Sequence, residues 1–238
     1  MAAIIKVPFI LLVTIALHIC YTSPSKPSSD ERAPIKNTSE RFLGVVISLM
    51  KTIKGVYWVL GAAETVAIFA RTLPSSSPVG TRIATILLRN GNPDDLYLTP
   101  LSMSGAILIL FGSMLRAWCY REMKNLFTFE ISIRKEHRLI TTGPYSIVRH
   151  PSYSGMVAVD IGVLLWYGSR GAWLRESGLL ETVGGKASAA GFTLVTFAIL
   201  VALIRRVPIE DAEMKKVFGR QWDEWSRNVR YAIIPGVY

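Results

Sequence analysis

Leu98-Thr-Pro-Leu-Ser-Met-Ser-Gly-Ala-Ile-Leu-Ile-Leu-Phe-Gly-Ser-Met-Leu-Arg-Ala-Trp118 carries one charge, Arg116, placed near its end. A helix of about 20 mostly apolar residues is long enough to cross a bilayer. This stretch shows no polar face of the kind a soluble helix presents to water. It therefore reads as a membrane span. Gly105, Gly112 and Ser113 interrupt it with small side chains, which let neighbouring membrane helices approach closely.

Outward from this span the pattern repeats. Apolar stretches at Ile4–Tyr21, Gly55–Ala70, Tyr153–Tyr167 and Ala187–Ile204 bring the expected number of spans to about five. The stretch ending at Ala70 is the weakest, because Lys51, Lys54 and Glu64 intrude, and it reads as one span starting near Phe42 or as two shorter helices broken near Lys51–Gly55. The whole chain agrees: of 238 residues 50% are hydrophobic and 18% charged, with a net charge of +10. Soluble domains carry about 25% charged residues. The composition excludes disordered, collagen-like and coiled-coil classes, and a basic excess on an apolar chain points to cytosolic loops rather than to a nucleic-acid surface.

Lys and Arg number 6, 3, 6, 3 and 7 in the successive connections and tail. By the positive-inside rule this alternation predicts a cytosolic C-terminus and an N-terminus outside. A cleaved signal peptide at the first stretch would put every basic segment on the wrong side, so the charge pattern favours a retained helix. Asn37-Thr38-Ser39 is a glycosylation sequon, but it falls on the predicted cytosolic side. Cys20 and Cys119 are too few for a disulfide framework or a cysteine metal site and read as apolar filler.

Chemistry-bearing residues cluster at His137–Gly155, at the mouth of the fourth span. Gly143-Pro144 predicts a turn and Pro151 the first turn of a helix. A helix start beside Arg149 and His150 suits an anion. A basic surface loop with aromatic anchors explains the composition equally well. Arg205-Arg206-Val-Pro-Ile-Glu210-Asp211 follows the fifth span; if Pro208 opens a helix, both carboxylates lie in its first turn, where acidic residues are favoured in any case. Arg116 suits either a functional charge or one that snorkels to the surface. Lys215–Tyr231, with Trp222 and Trp225, predicts an interfacial helix at the lipid headgroups. Walker, dinucleotide, zincin and nucleophile-elbow motifs are absent from the sequence.

His137-x-Leu139-x-Thr141-x-Gly143-x-Tyr145, then Arg149-His150-Pro151-Ser152-Tyr153-x-Gly155, then Arg206 and Glu210 followed by Phe218-Gly219, resemble the isoprenylcysteine carboxyl methyltransferase family and its phospholipid methyltransferase relatives. The resemblance runs from about Gly112 onward. It implies an all-α polytopic membrane enzyme with a cytosol-facing cofactor pocket, divided into an N-terminal membrane region (1–97) and a methyltransferase region (98–238). The implied reaction is transfer of a methyl group from S-adenosyl-L-methionine to the C-terminal carboxylate of isoprenylated cysteine in CaaX-processed proteins. The implied place is the endoplasmic reticulum membrane, with membrane lipid as surroundings and neither nucleic acid nor metal as partner.

By the same resemblance, His137, Leu139, Gly143, Tyr145, His150 and Pro151 line the cofactor site and Glu210 holds the ribose hydroxyls. Arg116 and Tyr153 orient the acceptor carboxylate, with Arg206 beside Glu210. Two departures stand out: Asp211 where the family usually has a second glutamate, and Met156 where an aromatic residue is common after the motif glycine. Gly168–Lys186 is longer than the usual connection and is expected to be peripheral to catalysis. The readings to be separated from this one are a phospholipid N-methyltransferase, a sterol reductase-like protein sharing the Arg-His-Pro-x-Tyr segment, and a non-enzymatic lipid-binding relative.

Overall fold

The computed structural model describes residues 3–27, 31, 38–70, 72–74, 77–88, 95–130, 132 and 138–237. Asn37 and His137 lie outside the described residues. Among the described residues there is no strand; nine α-helices carry the chain. They are α1 (Lys6–Cys20), α2 (Thr38–Ser48), α3 (Met50–Ala70), α4 (Pro78–Leu87), α5 (Pro100–Met123), α6 (Pro151–Gly168), α7 (Trp173–Glu176), α8 (Val183–Phe218) and α9 (Arg220–Asn228). Three of them, α3, α5 (extended to Leu126) and α8, are long and apolar enough to cross a membrane. The chain is a multi-pass membrane protein.

The other two expected spans form helices as well. α1 has 15 residues and α6 has 18. The break expected near Lys51–Gly55 falls earlier, between Ser48 and Met50, and α3 runs unbroken through both lysines. Pro208 does not open a helix: it sits inside the 36-residue α8. A proline in a helix interior removes one backbone hydrogen bond, at a cost of about 3 kcal/mol. The Arg206–Glu210 pair, one turn apart across that position, helps to offset it.

Contacts divide the chain into two units, each built from three separated segments. The first comprises Met1–His18, Lys51–Phe111 and Ala158–Thr196. Here α5 and α6 touch backbone to backbone: a Cβ on Gly105 would lie 2.7 Å from the Trp166 nitrogen, and one on Gly162 would lie 2.7 Å from the Gly105 oxygen. α1 packs through Ile10, Val13 and Leu17, and Thr14 lies so near Gly61 that a side chain there would collide with it. Glu64, the charge that weakened the sequence reading of α3, is 2% exposed and pairs with Lys6 Nζ at 2.6 Å. Lys6 also donates to the Gly171 carbonyl at 2.6 Å and lies over the Trp166 ring, while the Trp173 N–H donates to Glu64. The long connection after α6 thus supplies partners to this buried pair.

The second unit comprises Ile19–Met50, Gly112–Val157 and Phe197–Tyr238. A Cβ on Gly155 of α6 would lie 2.7 Å from the Gly112 oxygen of α5, so the small residues read from the sequence again mark a close helix approach. Both cysteines are fully buried thiols, as filler residues should be. α9 begins after Gly219, whose φ of 53° turns the chain out of α8. Its Trp222 is 6% exposed and packs edge-to-face on Trp225. Both tryptophans line a cavity of the second unit, a placement that an interfacial helix facing only lipid headgroups does not predict.

Candidate active site

Within Arg138–Gly155 the expected turn and helix start are both formed. Gly143 and Pro144 open a short 3-10 turn, Gly143–Ser146. Gly143 has φ 59°, and a Cβ there would meet the Glu122 carboxylate at 2.8 Å, so both conformation and space demand glycine. Glu122 in turn accepts from Thr142 Oγ1 at 2.9 Å. The turn drives Tyr145 into a cluster with Cys119 and Phe127, where burial pushes its phenol up from the ordinary value. Pro151 then starts α6, with His150 just before it.

The second motif block meets the first at this helix start. His150 Nε2 lies 2.7 Å from Asp211 Oδ1, and its Nδ1 lies 3.3 Å from Glu210 Oε2. Tyr153 donates to Glu210 Oε1 at 2.7 Å, and Arg206 Nε donates to the same oxygen at 2.9 Å. Arg149 grips Asp211 Oδ2 through Nε and Nη2, both at 3.2 Å. The anion expected beside Arg149 and His150 is therefore the protein's own Asp211, the residue that departs from the family's usual glutamate.

Burial disfavours the imidazolium of His150, but hydrogen bonds to Asp211 and then Glu210 outweigh it and push the pKa up to about 9. His150 is a cation at neutral pH. A third acidic side chain enters from α2: Glu40 Oε1 lies 3.7 Å from Arg206 Nε. Burial raises the Glu40 carboxyl above its ordinary value, against the pull of Arg206. Three cations (Arg149, His150, Arg206) thus face three acidic groups (Glu40, Glu210, Asp211).

A strap from Val229 to Ile233 completes the assembly. The Arg149 and His150 N–H groups donate to the carbonyls of Tyr231 (3.0 Å) and Ala232 (2.8 Å). Arg149 Nη1 reaches the Val229 carbonyl at 3.1 Å, and Ser154 donates to the carbonyl of Ile233.

This arrangement borders a cavity of about 150 Å³. Leu139, Tyr145, His150, Tyr153 and Glu210 line it, joined by Arg149, Ser152 and an aromatic wall of Phe127, Trp222 and Trp225. Gly143, Pro151, Arg116 and Arg206 are not among the lining residues. Gly143 and Pro151 shape the backbone that carries the liners.

The two arginines differ in their engagement. Arg116 is spent on the protein: Nη1 donates to Ser152 O (3.1 Å) and Oγ (2.9 Å), Nη2 to Cys20 O (3.2 Å), and Nε to Cys20 O and Tyr120 Oη. Its guanidinium also stacks over the Tyr120 and Phe129 rings. Arg206 uses Nε alone, and its two Nη groups donate to no described residue although the side chain is 4% exposed. Sequence reasoning missed Glu40 and the structural part of Asp211. Asp211 was visible in its motif; nothing in the sequence around Glu40 set it apart from any acidic residue in a first helical turn.

Bilayer-length helices, with a cavity lined by ionic side chains on one wall and aromatic ones on the other, define an integral membrane protein with a candidate site among its described residues. Residues 105–170, which hold the α5–α6 region and the first motif block, match the model of the isoprenylcysteine carboxyl methyltransferase (ICMT) family. The chain is 30% identical over 131 residues to protein-S-isoprenylcysteine O-methyltransferase B of Arabidopsis thaliana, a match covering 54% of this chain and 57% of that protein. It is 30% identical over 134 residues to a probable protein-S-isoprenylcysteine O-methyltransferase of Oryza sativa subsp. indica, covering 56% and 60%. A Delta(14)-sterol reductase of Neurospora crassa is 30% identical over 115 residues, covering 42% of this chain and 24% of the reductase. The chain thus spans little more than half the length of the methyltransferases it matches. No solved structure matches it.

Proposed function

We propose that the protein transfers a methyl group from S-adenosyl-L-methionine to the C-terminal carboxylate of an isoprenylated cysteine. The acceptors are CaaX-processed proteins at the cytosolic face of the endoplasmic reticulum membrane, reached through a chain of five spans with its C-terminus in the cytosol. The observation that carries this reading is the cavity in which residues of both motif blocks, Leu139, Tyr145, His150, Tyr153 and Glu210, meet.

The lining suits such a cofactor. Phe127, Trp222 and Trp225 offer an aromatic wall for an adenine ring. Glu210 accepts two hydrogen bonds on Oε1, while Oε2 faces His150 Nδ1 at 3.3 Å and keeps lone-pair capacity for a hydroxyl. His137, outside the described residues, keeps its role in this proposal. When bound, the cofactor supplies a methyl group already activated on a sulfonium.

The work left to the chain is positioning. A C-terminal carboxyl has an ordinary pKa of about 3.3–3.7 and needs no base. His150 would be a poor base in any case, since it is protonated at neutral pH. That property supports a carboxylate acceptor over the amine of a phospholipid, which must shed a proton. Arg206, whose Nη groups donate to no described residue, and Tyr153 beside it suit the acceptor anion, because a guanidinium fork matches a carboxylate with two parallel bonds. Alignment of two bound reactants is worth ~7–11 kcal/mol. Arg116 acts behind them by fixing Ser152 and so the start of α6.

Labelled S-adenosyl-L-methionine and S-farnesylcysteine analogues test the reading in membranes carrying the protein. Label should appear as a base-labile methyl ester, and Glu210→Gln should weaken cofactor binding by roughly one to two orders of magnitude through loss of charge-assisted bonds. Label passing to an amine acceptor, with no methyl ester formed, would return the function to phospholipid methylation.

A further inference from the structure

Ser25 lies in the connection between α1 and α2, upstream of the family match at residues 105–170. In the second unit its side chain nevertheless reaches the wall of the cavity. Its Oγ donates to the Phe127 carbonyl at 2.5 Å, with the Asn125 carbonyl 2.9 Å away. Leu126, Phe127 and Thr128, the residues at this contact, all line the cavity. The turn that delivers them is strained: Lys124, where α5 gives way to a short 3-10 turn, has φ 51° without being a glycine. Such a conformation persists only where its surroundings hold it. The end of α1 braces the wall a second time. The Cys20 carbonyl accepts from Tyr120 Oη at 2.7 Å, and the Tyr120 ring packs edge-to-face on Phe127 with centroids 4.5 Å apart.

We propose that Ser25 is a positioning residue for ligand binding, a latch that holds Leu126–Thr128 in the cavity wall against the strain at Lys124. With a single hydrogen near two carbonyls, the hydroxyl restrains both peptide units. Without it, Lys124 relaxes toward an ordinary backbone conformation, and Phe127 shifts with the peptide units that follow. The inference rests on the reading that the aromatic wall takes the cofactor's adenine, since a displaced Phe127 weakens a ligand that stacks on it. What this part of the chain contributes to the site is order, not a contact with ligand. A serine that merely tethers the connection to the protein surface predicts a small loss of stability and no change in ligand affinity.

Two measurements on purified full-length protein test it without requiring methyl transfer: titration calorimetry with S-adenosylhomocysteine, and hydrogen exchange at the amides of residues 124–129 without ligand. Ser25→Ala should weaken S-adenosylhomocysteine roughly five- to ten-fold and speed exchange at those amides. Ser25→Thr, which keeps the hydroxyl, should stay close to wild type in both. Ser25→Cys, a weaker donor, should fall between them and serves alone if the alanine variant does not fold. Lys124→Gly removes the strain, so in that background Ser25→Ala should cost about two-fold or less. Unchanged affinity in folded Ser25→Ala, or an equal loss in both backgrounds, overturns the proposal. A wild type that binds no S-adenosylhomocysteine sinks the proposed cofactor and leaves the latch to hydrogen exchange, where unchanged rates in Ser25→Ala overturn it.

Discussion

Each unit buries charge, and each does so differently. In the first, Lys6 and Glu64 form a closed pair whose further partners are the Gly171 carbonyl and the Trp173 N–H. In the second, Arg149, Asp211, His150, Glu210, Tyr153 and Arg206 form a chain that borders a cavity and ends in an arginine whose Nη groups donate to no described residue. The first pair spends its charges on each other and on two backbone groups. An open chain keeps capacity in reserve, which is what a binding site requires.

The contrast is most directly broken at the closed pair. Lys6→Ala leaves the Glu64 carboxylate buried without its cation, and the expected cost is ~3–5 kcal/mol in folding stability. Thermal unfolding in detergent measures it. The double variant Lys6→Met/Glu64→Leu should recover most of the loss, and failure to recover would show that the pair does more than neutralise itself.

The open chain should respond to pH. The folded pKa of His150, about 9, lies above an unfolded value of about 6.5. The stability it contributes is therefore complete below about pH 6.5 and disappears as pH rises through 9. The pKa difference corresponds to roughly 3 kcal/mol. Wild type should lose stability across that window, and His150→Gln should give a flatter profile over the same range. Parallel profiles would place the network's proton elsewhere.

The smallest effect belongs to the turn that carries Tyr145. Gly143→Ala forces a Cβ into a left-handed conformation and against Glu122, at a cost of ~1–2 kcal/mol. Adding Glu122→Ala should relieve the steric part and leave the conformational part, which urea or thermal unfolding of the two variants resolves.

Much of this was legible in the sequence. Span-length apolar runs, small residues at the α5–α6 approach and the Gly143-Pro144 turn are local signals, and local chemistry decides them. Pro208 misled because proline's penalty is a single local term, and here it falls inside a helix of 36 residues. The split between Arg116 and Arg206 was illegible for a deeper reason. Both are arginines at the ends of apolar helices, and what separates them is whether carbonyls from distant residues, Cys20 and Ser152, have already claimed the guanidinium. Glu40 was hidden in the same way, since its partner lies far along the chain.

The Val229–Ile233 strap has a consequence in time. Arg149 and His150 are made early, but the carbonyls that receive their donors belong to residues some 80 positions later, with |i−j| of 80 for Arg149 and Val229. The folded acceptors of these donors therefore do not exist until residues 229–233 have been made, and this wall of the cavity is the last to be completed.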